Sequence, residues 1–154
     1  MRDSASGLEA VIALHSTALG PAAGGCRLWS YSDEHRMKVD ALRLAQGMSY
    51  KNALAGLPTG GGKAVIRCPN RDFDREELFK AFARAVASLD GRYVTAEDVG
   101  TSVEDMLAIA TETRFVAGLP ASVKKPGGDP SPWTARGVFL SIGTSVRAPD
   151  LVAN

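Results

Sequence analysis

The chain has 154 residues, of which 45% are hydrophobic and 23% are charged, and its formal net charge at pH 7 is +1. This size and composition are typical of one globular domain that buries about two-thirds of its unfolded surface. Lysine and arginine total 18 against 17 aspartate and glutamate residues, so no basic surface for nucleic acid is expected. The sequence shows neither the apolar core of a secretory leader nor an apolar run that could span a membrane, which favours a cytoplasmic protein without a membrane partner.

Cysteine and histidine are too few for a disulfide framework or a metal centre. The two cysteines, Cys26 and Cys68, lack the paired spacing of a zinc site, and the two histidines, His15 and His35, stand alone. We therefore predict reduced thiols with a structural role and no metal site.

The first third of the chain predicts a strand, a loop and a long helix. Leu8–Leu14 is a short apolar run with β-branched residues, which is typical of a strand. Gly20–Arg27 is small and rich in glycine, so we expect either a loop with bare backbone amides that approaches a ligand or a plain turn. Asp33–Ala55 starts with a capping residue and is followed by Gly56, which together predict a helix.

This helix carries one apolar stripe that ends in a charged residue. The stripe follows three-and-four spacing and consists of Met37, Ala41, Leu44, Met48 and Lys51. A lysine at a helix C-terminus is favoured by the dipole and normally extends to solvent, but it is also available to a ligand. Both interpretations stay open for Lys51.

The stretch Met48–Ile66 places Lys51 and Lys63 on either side of a turn that contains Gly60–Gly62. Three successive glycines contribute no side-chain packing, so they are expected where backbone approaches a ligand or takes positive φ. The turn thus predicts an anion pocket with a second lysine available for chemistry. The competing interpretation is a tight connection between helix and strand with both lysines in solvent.

A phosphate-binding P-loop is a further interpretation of the same turn. It needs a glycine six residues before the lysine and a serine or threonine directly after it. Leu57 and Ala64 occupy those positions, which argues against a P-loop. Lys63–Cys68 is instead predicted to be a buried strand.

The second half of the chain continues the alternation of helices and strands. The predicted elements are a helix over Asp74–Leu89, a strand over Arg92–Ala96, a helix from Thr101 or Ser102 to about Glu112 and a strand over Arg114–Ala117. A long loop, Gly118–Pro130, then carries Lys124 and Lys125, and loops of this length are often functional.

A last helix is predicted from Ser131 as N-cap and Pro132 at the first helical position. Thr134 lies in its first turn and is available to a ligand.

Asp98 lies between the predicted strand Arg92–Ala96 and the helix that follows it. In open α/β sheets, ligands bind just beyond the carboxyl ends of strands, so Asp98 is a candidate for chemistry. An aspartate between a strand and a helix is also a common turn or cap residue.

Five segments together resemble the family of amino-acid dehydrogenases that act on Glu, Leu, Phe and Val, and among them the leucine-type members most. The segments are Gly20–Trp29, Gly47–Asn52, Gly60–Lys63, Thr95–Gly100 and Asp129–Thr134. They occur in order and with matching spacing over nearly the whole chain.

The resemblance implies a role for the two lysines, the glycine loop and Asp98. Lys63 and Asp98 match the catalytic lysine and aspartate. The other matches are Gly24, Gly25 and Lys51 with residues that hold the substrate α-carboxylate, Met48 with a residue beside them, Ala23 and Ala96 with the substrate side-chain pocket, and Thr134 with a residue at the nicotinamide end of NAD. By this resemblance Lys63 would activate water for attack on an iminium, and Asp98 would move protons to and from the nitrogen.

The resemblance also implies an α/β fold with an open mixed β-sheet flanked by helices, and a homo-oligomer. We expect the substrate-binding and oligomerisation domain over residues 1–147, followed by a short tail, 148–154, that is similar to a segment far downstream in the family. Family members carry a second domain with a Gly-x-Gly-x-x-Gly turn, and this sequence contains no such fingerprint. We therefore expect the Rossmann domain to be absent from this chain and the chain alone to be inactive.

Two other functions remain open at this point. One is a stand-alone module that binds an amino acid without redox chemistry, and the other is a structural module that assembles through its sheet edge.

Overall fold

The computed structural model describes residues 1–122 and 127–147, which form one mixed sheet and four helices. The strands are β1 (Arg2–Asp3), β2 (Leu8–Ser16), β3 (Ala22–Ala23), β4 (Cys26–Trp29), β5 (Gly60–Arg67) and β6 (Tyr93–Val94). The helices are α1 (Glu34–Leu54), α2 (Arg75–Ala87), α3 (Val103–Ala110) and α4 (Ser131–Arg147). None of the described helices is long and apolar enough to cross a membrane.

Strand β5 is the centre of the sheet. It pairs antiparallel with β2 and parallel with both β3 and β4. β1 adds to β2 in antiparallel orientation, and β6 adds to β3 in parallel orientation, giving the order β1-β2-β5-β3-β6 with β4 also on β5. The predicted α/β class, an open mixed sheet flanked by helices, is confirmed.

Different helices cover the two faces of the sheet because side chains alternate along each strand. The larger core joins Ala64 and Ile66 of β5 to the apolar faces of α2 and α3. The smaller core joins Val65 of β5 to α1 through Met37, Ala41 and Ala45. Lys63 stands two residues before Val65, so its side chain leaves the sheet on the face that α1 covers.

The capped helices agree with prediction. The predicted cap Asp33 precedes α1, and its carboxylate accepts the N–H of Arg36 at 2.8 Å. α2 begins after Asp74, and α3 begins after Ser102, with Asp105 completing a capping box. Side-chain oxygens therefore satisfy first-turn N–H groups that the helices leave unpaired.

The prediction that Gly60–Gly62 form a turn is wrong. All three residues belong to β5, and none of them has a positive φ. The loop predicted over Gly20–Arg27 is also wrong in part, because it contains β3 and the start of β4. In both places, pairing with a neighbouring strand outweighs the low strand propensity of glycine and alanine.

The C-terminal part also departs from prediction. α3 ends at Ala110, before Glu112, and the predicted strand Arg114–Ala117 reduces to one bridge between Val116 and Thr95. The side chain that accepts an N–H at the start of α4 belongs to Asp129, which bonds to the N–H of Ser131 at 2.8 Å. Ser131 is therefore the first helical residue and not the cap.

Two predictions lie outside the described residues. These are the loop lysines Lys124 and Lys125 and the tail 148–154.

α4 has no buried residue. Its large apolar side chains are exposed, and they are Trp133, Val138, Phe139, Leu140, Ile142 and Val146. Apolar side chains concentrated on one exposed helix are typical of a surface that binds another protein part.

Close backbone contact explains the glycine at the centre of the sheet. A Cβ on Gly61 would lie 2.6 Å from the carbonyl oxygen of Ala45 and would collide with the backbone nitrogen of Ser49. Both of these residues belong to α1. Glycine at this position therefore lets α1 lie directly on β5.

We expect Gly61→Ala to lower the free energy of unfolding by about 1–3 kcal/mol or more, the usual effect of overpacking a core. The matched control is Gly47→Ala in the interior of α1, where a Cβ meets no atom within 4 Å. This control should raise stability by roughly 0.5–1 kcal/mol, because alanine is the better helix former. Urea unfolding followed by circular dichroism measures both, and a Gly61→Ala variant as stable as wild type would contradict the contact.

Candidate functional site

Lys63 lies buried on β5. Only 5% of its side chain is exposed, and its ammonium nitrogen lies 2.9 Å from Oδ2 of Asp98. A buried ammonium needs an opposite charge nearby, because losing its hydration is expensive. The ion pair with Asp98 supplies that charge and joins the centre of the sheet to the segment after β6.

A locked turn holds Asp98 in place. The hydroxyl of Thr101 accepts the N–H of Asp98 at 2.8 Å and donates to the carbonyls of Asp98 at 2.8 Å and Cys26 at 3.1 Å. Gly100 in this turn has a φ of 81°, and a Cβ there would collide with the carbonyl of Leu28. The sequence Asp-Val-Gly-Thr thus fixes the aspartate between β6 and α3.

The predicted carboxylate-binding glycines lie between β3 and β4, next to Asp98. A Cβ on Gly25 would lie 2.8 Å from Cβ of Asp98, and a Cβ on Gly24 would lie 3.1 Å from Cγ of Met48. The N–H of Gly24 is used by the sheet, since it donates to Val94 O at 3.2 Å. Among the hydrogen bonds of the described residues, none uses the N–H of Gly25, and Gly25 itself is buried.

The two lysines differ in their surroundings. Lys51 lies in the last turn of α1 and is exposed, whereas Lys63 is buried. Within residues 1–122 and 127–147, no acidic side chain pairs with Lys51. It is therefore available to an anion one turn of helix beyond Met48.

The helical stripe ends one residue later than predicted. Asn52 is buried, and its amide donates to Gly60 O at 2.6 Å and to Ala23 O at 3.3 Å. These bonds connect the end of α1 to β3 and β5. The sequence signal for this residue was the same spacing that suggested Lys51.

The remaining predicted residues divide into two groups. Ala23 pairs with Gly61 across the sheet, and the carbonyl of Ala96 accepts the N–H of Cys26 at 2.8 Å, so both lie beside the site. Thr134 is exposed on α4, and no hydrogen bond among the described residues connects it to the ion pair.

Sequence reasoning assigned no role to three residues that extend the ion pair. Nε of Arg27 donates to Oδ2 of Asp98 at 3.0 Å, and a terminal nitrogen of Arg27 lies 3.2 Å from Oδ2 of Asp40. The same oxygen of Asp40 accepts the hydroxyl of Tyr31 at 2.6 Å. The available signal was the alternation in β4, which places Arg27 on the same face as Lys63.

Tyr93 is a further residue that was missed. Its buried hydroxyl donates to Gly24 O at 2.6 Å and thereby holds the glycine segment against β6. Burial raises the pKa of Tyr93, so the phenol stays protonated and keeps this bond. The sequence around Tyr93 contains no signal that its hydroxyl bonds to Gly24.

The pKa values of two adjacent carboxylates at the site, Glu97 and Asp98, are shifted in opposite directions. Burial alone would raise the pKa of Asp98, but contacts with Lys63 and Arg27 outweigh it and lower that pKa. The pKa of Glu97 is raised, mainly by burial and further by neighbouring acidic residues. Oε2 of Glu97 is buried and has no hydrogen-bond partner among the described residues, which agrees with this direction.

The described residues contain no group of three or more histidine, cysteine, aspartate or glutamate side chains that could hold a metal ion. Cys26 is a buried free cysteine, and burial raises the pKa of its thiol to about 12. A thiol with such a pKa is inert at neutral pH.

Residues 1–115 match the profile of a family described as Glu/Leu/Phe/Val dehydrogenase, dimerisation domain. The chain belongs to this dehydrogenase family. It is 52% identical over 147 residues to leucine dehydrogenase from Bacillus subtilis and 57% identical over 147 residues to valine dehydrogenase from Streptomyces albus. These matches cover 96% and 95% of this chain, and 40% of each relative.

Solved structures give the same family. The crystal structure of L-tryptophan dehydrogenase from Nostoc punctiforme superposes with a TM-score of 0.73 and 39% identity. It covers 96% of this chain, whereas this chain covers 40% of that protein. The chain therefore spans about 40% of the length of the relatives it matches.

Asp98→Asn and Glu97→Gln should change the pH dependence of stability in opposite directions. Ionised Asp98, with its lowered pKa, contributes stability above the unfolded pKa of about 4, and this is lost as pH falls through the lower folded value. Asp98→Asn should therefore destabilise at pH 7, by an amount that shrinks below about pH 4.

Glu97 has the opposite sign because its folded pKa is raised. Its ionised form carries a penalty in the folded state, so Glu97→Gln should stabilise at pH 7 and lose that gain as pH falls towards about 4. Urea unfolding of both variants between pH 3 and 7 measures these trends. An effect of Asp98→Asn that is equal at all pH values would contradict the ion pair.

Proposed function

We propose that this chain is the substrate-binding part of an NAD-dependent dehydrogenase that converts a branched-chain or aromatic L-amino acid to its 2-oxo acid and ammonia. The observation that carries the proposal is the buried ion pair between Lys63 and Asp98, next to the backbone of Gly25. A lysine and a carboxylate held 2.9 Å apart are suited to proton transfer.

Substrate binding would use the two groups that the chain leaves available. The α-carboxylate is an anion, and the exposed ammonium of Lys51 and the N–H of Gly25 are donors without a partner among the described residues. Met48, Ala23 and Ala96 would surround the rest of the molecule with small or apolar surface. This contact orients the substrate and does not itself transfer a proton.

The chemical step would use Lys63 and Asp98. As the neutral amine, Lys63 would take a proton from water while the water attacks the α-carbon of the iminium, and the ammonium so formed would stabilise the oxygen of the carbinolamine. Asp98 would exchange a proton with the substrate nitrogen. Oδ2 of Asp98 already contacts two cations, which leaves Oδ1 for that exchange.

The described residues do not themselves form an NAD site. Thr134 is the one described residue that the resemblance assigns to the cofactor, and it lies exposed on α4. No strand-to-helix turn within residues 1–122 and 127–147 carries a Gly-x-Gly-x-x-Gly sequence that would bind the pyrophosphate. The proposal therefore places NAD binding mainly in a second domain.

The proposal includes the domain limits and a homo-oligomer. Residues 1–147 would form the substrate-binding and oligomerisation domain, and 148–154 would be a short tail. The matching family profile describes a dimerisation domain, and α4 exposes a group of large apolar side chains. Both observations support contacts with another domain or subunit.

We expect the chain alone to bind a 2-oxo acid such as 4-methyl-2-oxopentanoate. Binding should shift the amide signal of Gly25 in two-dimensional NMR spectra, and Lys51→Ala should weaken binding about tenfold or more, the value of a charge-assisted hydrogen bond. The matched control is Lys38→Ala on the same helix, where the ammonium already pairs with Glu34 at 2.6 Å. Equal weakening by both substitutions would show that Lys51 has no specific role.

The proposal places NAD binding in a second domain, so the test of turnover joins this chain to the C-terminal part of the Bacillus subtilis leucine dehydrogenase. In this hybrid, Lys63→Ala should lower kcat by about 10²- to 10⁴-fold, the usual value of acid–base catalysis. Lys51→Ala should mainly raise KM, and Asp98→Asn should resemble Lys63→Ala.

The hybrid also separates the competing functions. Binding of 2-oxo acid without any turnover would favour an amino-acid-binding module over a dehydrogenase. Wild-type turnover by Lys63→Ala across the pH range would contradict the mechanism.

A further inference from the structure

Two cationic side chains contact the same carboxylate oxygen of Asp98. Lys63 from β5 and Arg27 from β4 both contact Oδ2, at 2.9 and 3.0 Å. No described residue donates to Oδ1. The carboxylate is thus held by one oxygen and open at the other.

Arg27 is itself anchored from α1. Its guanidinium reaches Asp40 at 3.2 Å, and the oxygen that it contacts also accepts the hydroxyl of Tyr31 at 2.6 Å. Burial and the bond to Asp40 raise the pKa of Tyr31, so its hydroxyl remains a donor. A guanidinium holds two acceptors in a fixed planar arrangement, which an ammonium does not.

Arg27 also borders a nearby cavity. Arg27, Tyr31 and Asp40 line an open cavity of about 680 Å³, whereas Lys63 and Asp98 do not line it. Arg27 is 24% exposed and Lys63 is 5% exposed. Arg27 therefore reaches from this cavity to Asp98.

We propose that Arg27, anchored by Asp40 and Tyr31, is a positioning residue that fixes Oδ2 of Asp98 beside Lys63 and leaves Oδ1 to meet the substrate nitrogen. This inference rests on the proposed function, because it assigns Asp98 the proton exchange. With one cation, the carboxylate is free to rotate about its Cβ–Cγ bond and exchange its two oxygens. With two cations on one oxygen, that rotation breaks both contacts at once.

The test is the titration of Asp98 in the chain itself, followed by ¹³C NMR of its carboxyl carbon. The charged and titratable groups that face Asp98 are Lys63 and Arg27, and Glu97 precedes it in sequence. Arg27→Met and Arg27→Lys should both raise the measured pKa of Asp98, the first more than the second. Arg43→Met is the control, since Arg43 lines the same cavity without touching Asp98.

Asp40→Asn tests the contact between Asp40 and Arg27 while Arg27 itself is kept. It provides a second test if the Arg27→Met variant does not fold. Loosening Arg27 should raise the pKa of Asp98, but by less than Arg27→Met does, because removing the negative charge of Asp40 lowers that pKa in part. In the hybrid enzyme, Arg27→Lys should lower kcat by up to about 100-fold, the loss expected when a catalytic group moves by about 1 Å, with little change in KM.

An Asp98 titration that is the same in wild type, Arg27→Lys and Asp40→Asn would overturn the inference. So would a hybrid in which Arg27→Lys keeps the wild-type kcat. A hybrid that is inactive even with Arg27 present would instead count against the proposed function, and the NMR titration would still decide whether Arg27 holds the carboxylate.

Discussion

The charge of Lys63 is the constraint on which the site depends. An ammonium in the central strand, covered by α1, requires a carboxylate within contact distance, and Asp98 is the one that reaches it. Asp98 reaches Lys63 because a glycine and a threonine fix the turn after β6. Arg27 then supplies a second positive charge, which Asp40 balances. The network therefore contains two cations and two anions and joins β4, β5, the turn after β6 and α1.

Small side chains allow this network to form. Gly61 lets the backbone of α1 approach β5, and Gly24 and Gly25 let β3 and β4 pass close to Gly62 and Asp98. A larger residue at any of these places would separate the elements that carry the charged groups. The glycine-rich segments therefore act by close packing of backbone.

The four helices and the strands β2, β5 and β6 could be predicted from sequence, and Lys63 and Asp98 could be named as candidates, whereas β1, β3 and β4 were not predicted. Apolar periodicity and capping residues are local signals, and a carboxylate after a strand has few possible places. The strand over Gly60–Gly62 could not be predicted, because it depends on contact with α1 and β2. The bond from Arg27 to Asp98 joins residues 71 positions apart. Asn52, and not Lys51, is the buried end of the stripe on α1, because the buried face of the helix is offset by one residue from the predicted face.

The central place of β5 determines when the sheet can assemble during synthesis. β2, β3 and β4 all precede Gly60 in the chain, yet each of them pairs with β5. These strands leave the ribosome with unpaired edges until β5 follows, and exposed edges of this kind favour aggregation. The charged network closes later still, once the turn at Asp98 has been made. A chain built in this order gains most from folding quickly once the turn at Asp98 has emerged, since pairing over long sequence distances is slow.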